Sequence, residues 1–126
     1  MIDSVGIDLI EVHRIRQAIN RWGDRFLHRV YTPWEINYCS NKQFPEQSYA
    51  ARFAVKEAVL KAIGTGLGQG IKWTSVEVVN TDLGAPQVRL GERIRRIIGS
   101  KNIIISMSHT REHAIASAIL VNDKKG

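Results

Sequence analysis

The chain has 126 residues, of which 44% are hydrophobic and 24% are charged, a composition that fits one soluble globular domain. No run of about 18 apolar residues is present, and residues 1–4 lack the basic and apolar regions of a secretory signal. The formal net charge of +6 indicates an anionic partner, which could be nucleic acid, anionic lipid, a polyphosphate ligand or an acidic protein. A single cysteine, Cys39, excludes a disulfide framework and is typical of a reducing cytosol.

The first element in the chain is a strand, predicted by the alternation of apolar with small or polar residues over residues 5–9. Because strand side chains alternate between faces, we expect the three large apolar ones to face the core and Gly6 and Asp8 to lie on the opposite face. The apolar three are Val5, Ile7 and Leu9.

Helical periodicity replaces this alternation over residues 11–30, where Gly23 and Asp24 predict a break between two helices. Thr32, followed by Pro33 and then Glu35, predicts the start of a third helix that ends near residue 40. The longest helical pattern covers residues 46–63. It carries a narrow stripe of small residues, which favours close packing against a sheet or another helix. The stripe consists of Ala51, Ala54, Val55, Ala58 and Ala62.

The remainder of the chain predicts an irregular turn followed mainly by strands. Four alternate glycines over residues 64–70 exclude a regular element there. Residues 75–80 and 86–90 predict a hairpin, and residues 91–98 predict a short amphipathic helix. Residues 102–108 and 114–121 predict a strand pair that is apolar or small on both faces, which indicates burial in the sheet or against another subunit. The class is α+β, with an antiparallel sheet packed on one long helix.

The long helix carries charged residues on two edges of its predicted outer surface. One edge has Arg52 and Lys56, and the other has Phe53, Glu57 and Lys61. Solvated charges, with an ion pair such as Glu57 with Lys61, are one interpretation. The glycine-rich turn that follows favours another, in which backbone N–H groups and lysines bind a phosphate-rich ligand. The turn fits neither the P-loop pattern nor a dinucleotide fingerprint.

Two further segments carry polar residues in unusual places. Asp8 lies in an otherwise apolar strand, where it is either simply exposed or, together with Glu57, a ligand of a hard cation such as Mg²⁺. Ser108, His109 and Thr110 lie at the end of a predicted strand. Hydrogen bonding to a ligand is favoured there over a catalytic Ser–His pair, because adjacent strand residues point to opposite faces and no Gly-x-Ser-x-Gly elbow is present.

Taken together, three motifs closely resemble the holo-acyl-carrier-protein synthases, the short single-domain type of 4′-phosphopantetheinyl transferase. They read VGIDLIE at residues 5–11, RFAVKEA at 52–58 with Lys61 and Gly64-Thr65-Gly66 after it, and SMSHT at 106–110. The resemblance covers essentially the whole chain and implies one 4′-phosphopantetheinyl transferase domain over residues 1–126. It implies transfer of 4′-phosphopantetheine from coenzyme A to a serine of apo acyl carrier protein, with release of adenosine 3′,5′-bisphosphate, in fatty-acid biosynthesis.

The resemblance also implies a Mg²⁺-dependent, cytoplasmic homotrimer with sites between subunits. By position, Asp8 and Glu57 match the metal ligands, and Glu57 and Lys61 match catalytic positions, with the general base left open between Glu57 and a water on the metal. The positions that match the coenzyme A site are Arg52, Lys56, Lys61, Gly64, Gly66, His109 and Thr110. The basic face of the first helix, with Arg14, Arg21 and Arg25, matches the face that docks the acidic carrier. No role is assigned to Gly68 or Gly70.

Two other interpretations stay open on the sequence alone. A non-catalytic nucleic-acid-binding module would use the basic helix, with Trp22 and Trp34 as stacking faces, but it leaves Asp8 and Glu57 unexplained. A phosphotransferase that uses a nucleoside triphosphate is the other. The preferred interpretation includes neither nucleic acid nor a membrane among the partners.

Overall fold

The computed structural model describes residues 1–122. Strand β1 (Ile2–Glu11) leads into helices α1 (Val12–Trp22), α2 (Asp24–Val30), α3 (Pro33–Ser40) and α4 (Pro45–Ile63). After a 3-10 turn (Trp73–Ser75) come β2 (Val76–Asn80), β3 (Pro86–Leu90), α5 (Glu92–Ile98), β4 (Asn102–His109) and β5 (His113–Val121). Within the described residues, no helix has both the length and the apolar character that crossing a membrane would require.

Local signals place the helix boundaries where the sequence predicts them. Gly23 adopts a positive φ of 56° and ends α1 by donating its N–H to Ile19 O at 2.8 Å. At the start of α3, Thr32 and Glu35 form a capping box: Thr32 N–H donates to Glu35 Oε1 at 2.8 Å, and Glu35 N–H donates to Thr32 Oγ1 at 3.3 Å. These bonds satisfy backbone donors that the first helical turn leaves without partners.

The strands form two antiparallel sheets, a three-stranded one in the order β1-β5-β4 and the hairpin β2-β3. Helix α4 packs on the inner face of the three-stranded sheet, where its stripe of small residues meets alanines of β5. These alanines, Ala114, Ala116 and Ala118, are all buried. The structure therefore confirms the α+β class and the long helix against a sheet, and it adds a second sheet that covers another side of the helix.

The predicted orientation of β1 is wrong. Val5, Ile7 and Leu9 are 59%, 58% and 63% exposed, whereas Gly6 is buried against α4. A Cβ atom at Gly6 would overlap the carbonyl oxygen of Ala58, so no larger residue fits on the strand face that meets the helix. The small residue therefore faces inward and the large apolar residues face outward.

The large residues of β1 belong to an apolar surface on the outer side of the three-stranded sheet, which we call the outer sheet face. It comprises Val5, Ile7, Leu9, Ile104 and Ile115. Ile104 and Ile115 are 56% and 41% exposed. The predicted burial of the last strand pair thus holds for its inner face, whereas nothing within residues 1–122 covers its outer face.

Candidate active site

Helix α4 presents the predicted site residues on two opposite sides. Arg52 and Lys61 are nine positions apart, which places their side chains about half a turn apart around the helix axis. Arg52 and Lys56 are only 2% and 0% exposed, so their predicted position on the outer surface is wrong. The reason is that α3 and the β2-β3 hairpin cover this side of α4 and supply acceptors to both cations.

Lys56 is completely enclosed by protein acceptors. Its Nζ lies 2.9 Å from Glu35 Oε1 and 3.2 Å from Trp73 O, and it also donates to Val76 O. Burial lowers the pKa of the Lys56 ammonium, and the neighbouring Glu35 carboxylate opposes that effect. Because an ammonium has three N–H donors and Lys56 has three acceptors, none of its donors points to a ligand in this structure.

Arg52 is held at the side of α4 that faces the hairpin. Its guanidinium donates to Asn80 Oδ1 and to Ser48 Oγ at 3.3 Å, and it lies 4.3 Å from the centre of the Tyr38 ring. Its Nε has no hydrogen-bond partner within residues 1–122. Two hydrogen bonds leave part of the donor capacity of this buried guanidinium unused, and an anion is the partner that such donors bind most strongly.

A groove of about 330 Å³ opens beside Arg52. Residues of the α3-α4 loop, including Lys42 and Phe44, line it together with Met107 and His109 of β4. The structure thus places Arg52 and His109 in the lining of one groove. It also adds Lys42, whose ammonium lies 4.2 Å from the centre of the Tyr38 ring.

On the opposite side of α4, Asp8, Glu57 and Lys61 lie close together. Lys61 Nζ is 3.1 Å from Asp8 Oδ1 and 3.0 Å from Ile7 O. Burial raises the pKa of the Glu57 carboxyl, the Asp8 charge raises it further, and the Lys61 ammonium lowers it. The contacts of the Lys61 ammonium thus cross to strand β1. An exposed helix would instead favour an ion pair between Lys61 and Glu57 within α4.

The donors around Asp8 and Glu57 fit a hard cation. Mg²⁺ prefers oxygen ligands, and it binds through one or two carboxylates while water and substrate phosphates complete its octahedron. Within residues 1–122, no group of three or more His, Cys, Asp or Glu side chains could hold a metal ion, so such a site depends on substrate and water ligands. The repulsion that raises the pKa of Glu57 is the interaction that a divalent cation would relieve.

The remaining predicted ligand positions lie in turns. Gly64 ends α4 in the left-handed conformation, with φ 79°, and its N–H donates back to Leu60 O and Lys61 O. Gly66 has open space at its Cα, which allows close approach of a ligand. Thr110 shapes the β4-β5 turn, where its Oγ1 accepts the N–H of His113 at 3.2 Å. The extended glycine turn closes further on, with an isolated bridge between Gly68 and Ile71.

The predicted docking arginines are exposed on α1 and α2. Arg14, Arg21 and Arg25 make no ion pair with a carboxylate of residues 1–122. Of these three, Arg25 lines a pocket of about 380 Å³, together with Trp22, Phe26 and Arg29. The surface thus combines free positive charge with an apolar pocket. Trp34, the second stacking face of the nucleic-acid alternative, stacks on Tyr38 instead.

The sequence did not single out Glu35 and Lys42 as parts of the site. Glu35 was predicted only as a helix-capping residue, and the structure shows that it also binds Lys56 and the N–H of Val78 at 2.7 Å. Neither contact has a local sequence signal, because the partners lie 21 and 43 positions away in the chain. The loop residue Lys42 has no sequence signal of its own, and only the groove that it lines identifies it as part of the site.

Comparison with known proteins gives matches over nearly the whole chain. Residues 4–118 match the family model described as the 4′-phosphopantetheinyl transferase superfamily. A curated protein of Koribacter versatilis, named holo-[acyl-carrier-protein] synthase, is 46% identical over 123 residues, which cover 95% of this chain and 98% of that protein. A protein of the same name from Chlamydia trachomatis is 48% identical over 116 residues, which cover 92% of this chain and 97% of that protein.

Solved structures that resemble this fold carry the same name as these curated proteins. The crystal structure of holo-[acyl-carrier-protein] synthase from Neisseria meningitidis superposes with a TM-score of 0.87 at 27% identity, covering 97% of this chain and all of that one. The Helicobacter pylori enzyme of the same name, crystallised in complex with coenzyme A, superposes with a TM-score of 0.84 at 29% identity. That match covers 93% of this chain and 99% of the other.

Proposed function

The chain belongs to the 4′-phosphopantetheinyl transferase superfamily, and we propose that Asp8, Glu57 and Lys61 form its catalytic centre while Arg52 and His109 bind coenzyme A. Its activity is that of a holo-acyl-carrier-protein synthase. It transfers 4′-phosphopantetheine from coenzyme A to a serine hydroxyl of apo acyl carrier protein and releases adenosine 3′,5′-bisphosphate. The observation that carries the residue assignment is the cluster of Asp8, Glu57 and Lys61 at the junction of β1 and α4.

Asp8 and Glu57 hold Mg²⁺ in this proposal. The support is that both carboxylates are partly exposed and lie where β1 and α4 meet, and carboxylate oxygens are the donors that a hard cation requires. An ion held by these residues would supply Lewis acidity to the pyrophosphate of coenzyme A.

The side chains of the cluster then have distinct tasks. The serine oxygen of the carrier forms a bond to the β-phosphorus of coenzyme A, and the bond from that phosphorus to the oxygen bridging to the α-phosphate breaks. The Lys61 ammonium offsets the negative charge that grows on the departing adenosine 3′,5′-bisphosphate. Glu57 accepts the serine proton in this proposal, because Asp8, the other carboxylate of the cluster, is paired with the Lys61 ammonium.

Arg52 and His109 bind a phosphate-rich part of coenzyme A in their shared groove. The support is that Arg52 and the basic Lys42 line the same groove as His109. Gly64, Gly66 and Thr110 complete the ligand positions inferred from the family motifs. Lys56 contributes to coenzyme A binding indirectly, by fixing the side of α4 that carries Arg52, because its own donors are occupied.

The protein works as a homotrimer with each site shared between two subunits. Arg52 and Lys61 point in opposite directions from α4, so one ligand that touches both groups takes them from two different copies of the chain. The outer sheet face supplies the apolar surface for such an assembly, because exposed apolar patches of this kind mark protein interfaces.

The exposed arginines of α1 and α2 dock the acyl carrier protein, which is acidic. The arginines around the aromatic rings of Trp22 and Phe26 suit an acidic partner that also contacts these rings. The protein acts in the cytoplasm, in fatty-acid biosynthesis, as one domain over residues 1–126. The buried thiol of Cys39, without a disulfide partner, is compatible with a reducing compartment.

A mass-shift assay tests the proposed function. The protein, coenzyme A, Mg²⁺ and apo acyl carrier protein are incubated, and the carrier should gain the mass of one phosphopantetheine. Asp8→Asn and Glu57→Gln should remove this gain while the circular dichroism spectrum is unchanged, because both side chains serve the cation rather than the core. Near-normal transfer by either variant would show that the metal site is misassigned. Retardation of DNA or RNA at physiological salt, without transfer, would support the nucleic-acid alternative instead.

A further inference from the structure

Strand β1 and helix α4 approach most closely at Gly6. A Cβ atom built on Gly6 would overlap Ala58 O and would lie 2.8 Å from Ala62 N. Both are backbone atoms of α4, so the overlap cannot be relieved by turning a flexible side chain. The φ of Gly6 is not positive, so the residue is required here by space rather than by backbone conformation.

Polar contacts hold the same junction on both sides of Gly6. Ser4 Oγ donates to Ala62 O, and Lys61 Nζ donates to Ile7 O at 3.0 Å. Ser4, Gly6 and Asp8 occupy alternate positions of β1 and share the face that α4 covers. The strand and the helix are therefore joined at successive points along one line, with the closest approach in the middle.

The two proposed metal ligands flank this closest approach. Asp8 lies two residues after Gly6 on β1, and Glu57 directly precedes Ala58 on α4. We propose that Gly6 is a positioning residue for the divalent cation, because the contact that it permits with Ala58 sets the separation between the segments that carry Asp8 and Glu57. This inference rests on the proposed metal role of those two carboxylates.

The geometry gives the expected size of the effect. A carbon atom normally stays about 3.3 Å or more from a carbonyl oxygen, so a methyl group at residue 6 forces β1 away from α4 by roughly 1 Å. Mg²⁺ demands near-ideal octahedral geometry, with short metal–oxygen distances. A shift of that size changes the spacing of the two segments that carry the carboxylates, so we expect the affinity for the cation to fall.

The experiment measures Mn²⁺ binding to the complete protein with coenzyme A present and the carrier omitted, from the electron paramagnetic resonance signal of free Mn²⁺ against a blank of coenzyme A alone. Wild type, Asp8→Asn and Glu57→Gln establish whether the carboxylates bind the ion. Gly6→Ala should then weaken Mn²⁺ binding by roughly tenfold or more, as changes beside metal ligands commonly do. Val78→Ala, a core change in β2 away from the junction, is the control for lost stability and should leave the affinity within about twofold.

The outcomes separate this inference from the proposed function. If Asp8→Asn and Glu57→Gln bind Mn²⁺ as wild type does, the metal role of the carboxylates is wrong, and the role of Gly6 falls with it. If those variants lose binding and Gly6→Ala does not, only the positioning role is overturned. Should Gly6→Ala fail to fold, Ser4→Ala removes another link of the same junction, and it must weaken Mn²⁺ binding in the same direction for the inference to stand.

Discussion

The ammonium of Lys56 lies 2.9 Å from Glu35 Oε1, and neither side chain is exposed to solvent. The same carboxylate accepts the N–H of Thr32 at 2.8 Å and, through Oε2, the N–H of Val78 at 2.7 Å. One buried acid therefore ties together the start of α3, the middle of α4 and strand β2. Lys56 directly precedes Glu57, so this ion pair also fixes the part of α4 that carries the proposed catalytic carboxylate.

Removing one partner of this pair should be strongly destabilising. Lys56→Met leaves the Glu35 carboxylate buried without a cation, and we expect the free energy of unfolding to fall by about 3–5 kcal/mol in urea denaturation. The double variant Glu35→Gln with Lys56→Met should lose less, because no charge is then left buried alone. Lys61→Met, which removes an exposed lysine from the same helix, is the control for the loss of a lysine without the loss of a buried ion pair. Unchanged stability of Lys56→Met together with lost coenzyme A binding would instead make Lys56 a direct ligand contact.

Glu57 should titrate above the ordinary range in the protein without metal. Burial is the larger cause of its raised pKa and Asp8 the second, so Asp8→Asn should move the pKa back only partly. Lys61→Met should raise the pKa further, because Lys61 lowers it. The measurement is the ¹³C chemical shift of the Glu57 carboxyl carbon against pH. Asp82→Asn, an exposed change in the β2-β3 turn, is the control and should have no effect.

The raised pKa of Glu57 also determines how the stability of the protein changes with pH. Between its ordinary and its raised pKa, Glu57 binds more protons in the folded state than in the unfolded state, so the free energy of unfolding falls as pH rises through that window. Glu57→Gln should flatten this part of the pH profile of stability. A profile that is identical for Glu57→Gln and wild type would contradict the raised pKa.

The helix boundaries could be predicted from sequence because short-range signals encode them. The capping residues Thr32 and Glu35 and the break at Gly23 involve neighbours in the chain, and the structure has all of these features. The orientation of β1 could not be predicted in the same way. Alternation shows that a strand has two different faces, but it does not show which face meets the helix. In β1 that choice depends on the close approach of the strand to the backbone of Ala58 in α4.

The candidate site also has parts that the sequence predicts and parts that depend on long-range contacts. The motif positions of Asp8, Glu57 and Lys61 follow from sequence, and their charges do meet in the structure. The burial of Lys56 does not follow, since a lysine at helical spacing looks exposed unless its distant acceptor, Glu35, is known. Long-range partners of this kind decide whether a charge belongs to the surface or to the interior.

A charge on the outer sheet face should prevent trimer formation. Ile7→Glu places a carboxylate where an apolar interface is proposed, and burying an unpaired charge is costly. We expect the mass measured by light scattering after size exclusion to fall from that of a trimer to that of a 14.2 kDa monomer. Transfer activity should be lost with it, because each proposed site takes residues from two subunits. Leu83→Glu, on an exposed turn, should keep the wild-type mass, and a trimer of Ile7→Glu would refute this interface.

Charge reversal on the basic helices should weaken use of the carrier and spare coenzyme A. Arg14→Glu, Arg21→Glu and Arg25→Glu each replace attraction of an acidic partner by repulsion, so we expect the KM for apo carrier to rise roughly tenfold. The KM for coenzyme A should stay unchanged, because these arginines lie on α1 and α2 rather than at α4. Steady-state kinetics with each substrate varied in turn measure both values.

The salt dependence distinguishes docking from a general loss of fold. Because salt screens attraction between exposed charges, the KM of wild type for the carrier should rise with ionic strength, and that of the reversed variants should rise much less. Arg96→Glu, a matched reversal on α5 of an arginine that pairs with Glu92 at 2.6 Å, should behave as wild type does. Equal effects of Arg14→Glu on the KM values for carrier and coenzyme A, or an equal effect of Arg96→Glu on the carrier KM, would exclude α1 as the docking surface.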